Sequence, residues 1–273
     1  MKELLRRLLT GAVYVALLLS TVFLSSDAFD FLFMIFGLAC IYEYKRMLKV
    51  SGYHIFLAYL ILWWAYIYLI TPALSGYPWW IGALLFTTLA TDLALLYYLF
   101  SKKKKVFNRL TQFLIGVFYI GGGCIFLTMI PYRPGGEFAS FLIMGIFILI
   151  WVNDSFAYLV GKSIGRTKLF PSVSPKKTIE GSLGGLVFSL IAGYFLAGYY
   201  TPLSTSQWLI LTVVVVISGS LGDLVESKFK RDAGVKDSGA ILPGHGGMLD
   251  RLDSLIFAAP FAYFTLNLFD YVP

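Results

Sequence analysis

Apolar runs of about twenty residues recur along the whole chain, separated by short polar connections. As a helix, a run of that length crosses a hydrocarbon core of about 30 Å. Residues 208–217 (WLILTVVVVI) are apolar on every face, so the alternating pattern of a membrane β-barrel is missing. The pattern predicts nine spans, at about 8–25, 28–44, 53–71, 78–100, 110–131, 138–160, 182–200, 208–226 and 252–271. The expected fold is therefore all-α, a polytopic integral membrane protein of about nine transmembrane helices. It is read as one membrane domain over 1–273. Within it, an N-terminal helical part covers 1–131, and a C-terminal part covers 132–273 with loops 161–181 and 227–251.

The connections orient these spans. Of the 22 Lys and Arg residues, 21 fall before span one or in the loops after spans two, four, six and eight; the other set of loops holds only Arg133. Under the positive-inside rule the N-terminus and those loops face the cytoplasm, and the C-terminus lies outside. Runs such as Lys102–Lys105 then serve as topology signals beside anionic head groups. The expected location is the plasma membrane, crossed many times. The first apolar run is long for a leader and lacks a following A-x-A site, so it is read as a span.

Composition agrees with this reading: 58% of residues are hydrophobic and 14% charged, and the mean hydropathy is +0.77. Cys40 and Cys124 both sit inside apolar runs and are read as packing residues. Gly121–Gly123, Gly184, Gly185, Ser218, Gly219, Ser220 and Gly222 are small residues inside spans, expected where helices approach closely. Such faces permit a homodimer without requiring one. Nothing in the sequence points to nucleic acid as a partner.

Against this apolar background the stretch Ser227–Asp253 (SKFKRDAGVKDSGAILPGHGGMLDRLD) stands out. It gathers Lys228, Lys230, Arg231, Lys236 and Arg251, a Pro243–Gly247 turn containing His245, and the pair Asp250 and Asp253. Carboxylates in membrane helices are costly and mark functional candidates. Asp154, Asp223, Asp250 and Asp253 all fall at the cytoplasmic ends of their spans, whereas Asp92 lies deeper. Asp250 and Asp253 are three apart and share a helix face; capping of a helix start explains one of them. Hard oxygen donors without clustered Cys or His suit Mg2+, with a second cation left open. Asp223 and Asp250 are the expected metal ligands, joined by Asp253. Mg2+ completes its shell with substrate phosphates, so carboxylates beside many cations suggest a phosphorylated substrate.

The loop GKSIGRTKLFPSVSPKKTIEGS, residues 161–182, adds a second phosphate-friendly element. Ser174, Lys176, Lys177 and Thr178 present two cations and two hydroxyls among turn residues, although Walker and GxGxxG spacings are both absent. His245 is read either as a turn residue tied to backbone or as a hydrogen-bonding group for substrate. His54 has no neighbours suggesting a role.

The elements Ser227-Lys228-Phe229-Lys230-Arg231, Lys236-Asp237, Leu242–Met248 and Asp250-Arg251-Leu252-Asp253 resemble the signature of CDP-diacylglycerol synthases (phosphatidate cytidylyltransferases). Residues 153–185 resemble that family's second block, with Asn153-Asp154-Ser155-Phe156 standing where Asp-Thr-Gly is frequent. The two blocks cover the C-terminal half; the first 130 residues match only as apolar spans. The resemblance implies that CTP and phosphatidic acid give CDP-diacylglycerol and pyrophosphate with Mg2+, through a metal-bridging pair falling on Asp223 and Asp250. The expected catalytic residues are Asp223, Asp250, Lys176, Lys177 and Arg251. Expected substrate contacts are Asp154, Ser174, Thr178, Ser227, Lys230, Arg231, Lys236, Asp237, Gly244, His245, Gly246 and Gly247.

Two other classes fit less well. A cation-coupled transporter would spread relay carboxylates through the membrane depth and often carry repeats with broken helices. A CDP-alcohol phosphotransferase would need a D-x-x-D-G-x-x-A-R motif, which the sequence lacks.

Overall fold

The computed structural model describes residues 2–70, 78–101, 107–200, 202–244 and 246–272. Lys102–Lys105, the turn at 72–77 and His245 lie outside the described residues. Helices form where the apolar runs predict them: α1 (Lys2–Leu24), α2 (Ser26–Leu48) and α3 (His54–Trp64), the last continuing as a π-helical stretch, Ala65–Ile70. Then come α4 (Pro78–Phe100), α5 (Arg109–Met129), α6 (Ser140–Ile164), α7 (Ile179–Tyr199), α8 (Thr205–Ala233) and α9 (Leu249–Leu268). Five of these, α4 to α8, are both long and apolar enough to cross a membrane, and two shorter apolar helices lie at Leu9–Leu24 and His54–Tyr68. Residues Ile115–Gly122 of α5 are π-helical.

Polar side chains fix the boundaries. Asn108 accepts from the amide of Thr111 at 2.8 Å and starts α5, and Ser204 with Gln207 forms a capping box on α8. Gly234, at φ 74°, ends α8 in the left-handed conformation that glycine adopts without strain.

One element departs from the all-α expectation. The loop between α6 and α7 folds into an antiparallel hairpin, β1 (Lys168–Phe170) and β2 (Ser174–Thr178), with Lys168 opposite Thr178 and Phe170 opposite Ser174. Its tip residue Val173 is buried, and the Val173 carbonyl accepts from Arg231 Nε at 3.2 Å. Thr178 closes the hairpin and caps α7, accepting from the amide of Gly181 at 3.1 Å.

Small residues let the helices approach, as their positions predict. A β-carbon on Gly123 of α5 would stand 2.4 Å from the Ile256 carbonyl of α9, and one on Gly185 of α7 would stand 2.5 Å from Asn153 Oδ1 of α6. Close packing of this kind drives association where lipid removes the hydrophobic contrast.

The connections sort themselves onto two ends of the bundle. At one end Lys228 of α8 reaches the last carbonyls of α4, donating to Tyr98 at 2.6 Å and Leu99 at 3.1 Å. There too Thr10 donates to the Pro243 carbonyl and Tyr44 to the Gln112 carbonyl, both at 3.1 Å. At the other end Tyr132 donates to Asp30 at 2.7 Å, Arg133 pairs with Glu137 at 2.9 Å and lies over the Tyr271 ring, and Tyr200 meets Tyr271. Lys162, Lys176, Lys177, Lys230 and Arg251 share the first end.

Candidate active site

A cavity of 690 Å³ opens at that basic end, between the last turns of α6, strand β2, the C-terminal half of α8 and the first turn of α9. Asp154, Lys176, Lys177, Thr178, Asp223, Lys230, Asp237, Asp250, Arg251 and Asp253 all line it. They come from four separated segments of the sequence. Asn153, Tyr158, Lys162, Ser182, Ser220 and Ser254 complete much of the wall.

Each carboxylate has a different setting. Asp223 is partly exposed; its Oδ2 lies 2.5 Å from Lys177 Nζ, and its Oδ1 accepts from Ser227 Oγ at 3.2 Å. Asp154 and Asp253 lie close enough to Asp223, and to each other, to feel one another's charge. Asp154 accepts from Asn153 Nδ2 at 3.2 Å, and Asp253 Oδ1 accepts from the Ser254 amide at 2.7 Å.

Asp250 is held differently. It accepts from Lys230 Nζ at 2.7 Å, from the Gly247 amide at 2.7 Å and from the Ser238 amide at 3.0 Å. Burial pushes its carboxyl up, but the Lys230 ammonium and these amides outweigh that and hold it below the usual aspartate range. Both oxygens already have donors. Lys230 in turn sits 2.5 Å from Glu226, so one ammonium bridges two carboxylates.

The structure therefore brings together about half of the residues singled out in the sequence. The cavity wall is built without Ser174, Ser227, Arg231, Lys236, Gly244, Gly246 and Gly247. Ser227 supports Asp223 from behind, and Arg231 pins the hairpin. Gly246, at φ 87°, presents its Cα face to Asp250, 2.8 Å from where a β-carbon would stand. Glu226, Asn153 and Ser220 take part without having been assigned a site role. Glu226 was hidden as one more acid in a charged stretch, while Ser220 looked like a packing residue.

Among the described residues no three of the His, Cys, Asp and Glu side chains form a preformed metal cage. Mg2+ does not need one: it dehydrates reluctantly and takes one or two carboxylates together with substrate phosphates and waters. The like-charged, oxygen-only set around Asp223 fits such an ion. Lys177 brings positive charge beside Asp223.

A multi-helix apolar bundle with cations and carboxylates converging on one polar cavity defines a membrane-embedded site for an anionic ligand. The chain belongs to the cytidylyltransferase family, whose model matches residues 5–269. It is similar to the phosphatidate cytidylyltransferase of Bacillus subtilis (strain 168), 36% identical over 273 residues, covering 98% of this chain and 100% of that protein. The phosphatidate cytidylyltransferase of Staphylococcus aureus (strain COL) is 44% identical over 170 residues, 62% of this chain and 63% of that one. That of Staphylococcus haemolyticus (strain JCSC1435) is 41% identical over 199 residues, 72% and 74% of the two chains.

Proposed function

We infer that this protein is a CTP:phosphatidate cytidylyltransferase, a nucleotidyltransferase of phospholipid biosynthesis. The observation that carries the reading is the single cavity in which Asp154, Asp223, Asp250 and Asp253 meet Lys176, Lys177, Lys230 and Arg251. A site at the ends of membrane helices is open to a soluble triphosphate from water and to a lipid phosphate at the interface. The nine helices then span the plasma membrane with the cavity, the N-terminus and the basic loops on the cytoplasmic side and the C-terminus outside.

A phosphate oxygen of phosphatidic acid attacks the α-phosphorus of CTP. A new P–O bond forms, the bond to the β-phosphate oxygen breaks, and pyrophosphate leaves with its electron pair. The lipid phosphate is a monoester whose second ionisation lies near pH ~6, so its oxygen is already charged at neutral pH and no general base is required. The difficulty is bringing anions together. Lys176, Lys177 and Arg251 neutralise charge on the transferring and leaving groups, and catalysis rests on positioning and electrostatics. Asp223, with Asp253 and Asp250 on the same wall, would hold Mg2+. When bound, that ion supplies charge neutralisation on the phosphates.

The test uses purified full-length protein in phosphatidate-containing vesicles. Label from CTP should enter lipid, with pyrophosphate released only when phosphatidate is present. CTP hydrolysis without lipid labelling, or solute uptake without either, would overturn the reading.

A further inference from the structure

We propose that Glu43, in the N-terminal half and outside the cavity, is a positioning residue for the site. It sits near the end of α2 and is 1% exposed. Its Oε2 accepts from the Leu249 amide at 2.9 Å and from Ser238 Oγ at 3.1 Å. Those two residues bracket the loop between α8 and α9. Leu249 opens α9, whose N-cap residue Met248 makes no side-chain cap, so a carboxylate from α2 serves the helix start instead. Ser238 also donates its amide to Asp250. Glu43 thus grips the loop at Ser238, whose amide binds Asp250, and at Leu249, the residue before Asp250 and one turn ahead of Asp253.

The loop's glycines give a second, independent sign. A β-carbon on Gly239 would stand 2.2 Å from Glu43 Oε1. One on Gly247 would stand 2.4 Å from Glu43 Oε2 and 2.1 Å from Ser238 Oγ. A carboxylate at a chain end can normally swing aside, but this one is buried and hydrogen-bonded from two sides. Both glycines give the loop the clearance to close over Glu43. The glycine pattern thus serves a packing contact as well as any phosphate, and α2 is coupled to the chemistry through the first turn of α9.

This inference rests on the cavity being the transferase site, and its test separates the two. In full-length protein, Glu43→Ala should lower CTP-dependent lipid labelling roughly tenfold or more, acting on the CTP KM and kcat together, and Glu43→Gln should restore most of it because the amide oxygen still accepts. Gly239→Ala should be harmful with Glu43 present and markedly less so in the Glu43→Ala background, a coupling expected of touching residues. Hydrogen exchange should quicken at the Ser238 and Leu249 amides in Glu43→Ala, a readout independent of turnover. Should Glu43→Ala not fold, the cycle of Gly239→Ala, Glu43→Asp and the double variant carries the same test, because the shorter carboxylate withdraws from a β-carbon on Gly239, and no coupling would count against the proposal. Wild-type kinetics in Glu43→Ala, additive glycine effects, or a Gln variant as impaired as Ala would overturn it. An inactive wild-type protein would instead overturn the transferase reading.

Discussion

Lys177 Nζ lies 2.5 Å from Asp223 Oδ2, joining strand β2 to helix α8 across the mouth of the cavity. Both side chains are about a third exposed, so the pair itself contributes little stability, ~0–1 kcal/mol. Its value lies in what it places: a cation and a carboxylate held where phosphates must pass.

Asp223→Asn and Lys177→Met should therefore leave the melting temperature nearly unchanged. Each should lower kcat/KM for lipid labelling by about 10²-fold or more, the scale seen when one electrostatic stabiliser is removed. Parallel thermal melts and radiolabelled CTP assays would check this. A large loss of stability with unchanged turnover per folded molecule would contradict it.

Asp250 should behave in the opposite way. Removing it leaves the Lys230 ammonium buried with Glu226 alone and strips the Gly247 and Ser238 amides of their acceptor. Loss of one partner from a buried pair costs about 3–5 kcal/mol, so Asp250→Ala should lower the melting temperature as well as activity.

Stability should also depend on pH through the same carboxyl. Its folded pKa is depressed, so its contribution is fully present above the ordinary aspartate value, about 3.9, and is lost as pH falls through the lower folded value. Melts in detergent between pH 3 and 7 should show an acid decline that Asp250→Asn reduces. The acid limb of activity in the unaltered protein, by contrast, should sit at about pH 6, where the lipid phosphate gains its second proton.

Chelation should abolish lipid labelling, and Mg2+ should restore it. Zn2+ should not, because among the described residues the cavity offers oxygen donors without the sulfur or clustered imidazole that zinc favours. Recovery with Zn2+ at comparable rates would argue against a hard-cation site.

Thr178→Ala tests the hairpin-to-helix junction. Losing the cap on the Gly181 amide should destabilise the start of α7 by about 0.5–2 kcal/mol. Thr178→Ser keeps the hydroxyl and should recover most of that stability in a thermal melt.

The helices were legible because apolar runs must end where the chain meets water; the predicted span at 78–100 coincides with α4, Pro78–Phe100. The gathering of carboxylates at one end was legible for the same reason, since basic loops mark that end. The hairpin was not: three residues of β1 and five of β2 carry no long alternation, so Lys176 and Lys177 were legible as phosphate-binding cations in a turn-rich loop but not as members of a strand. Nor was the local fate of Asp250, whose donors are backbone amides and a lysine twenty positions away. Glu43 was wholly hidden. Its partners lie 195 and 206 positions along the chain, and a single acid near the end of an apolar run gives no hint of them.

The contact between Thr10 and Pro243 and the one between Glu43 and Leu249 join α1 and α2 to residues 233 and 206 positions further along the chain. A nascent chain emerges N-terminus first, so α1 and α2 are made long before the partners of Thr10 and Glu43. The site can close only once the first turn of α9, with Asp250, Arg251 and Asp253, has been made. A chain stopped before α9 leaves Glu43 without the Leu249 amide and the cavity without three of its charged side chains.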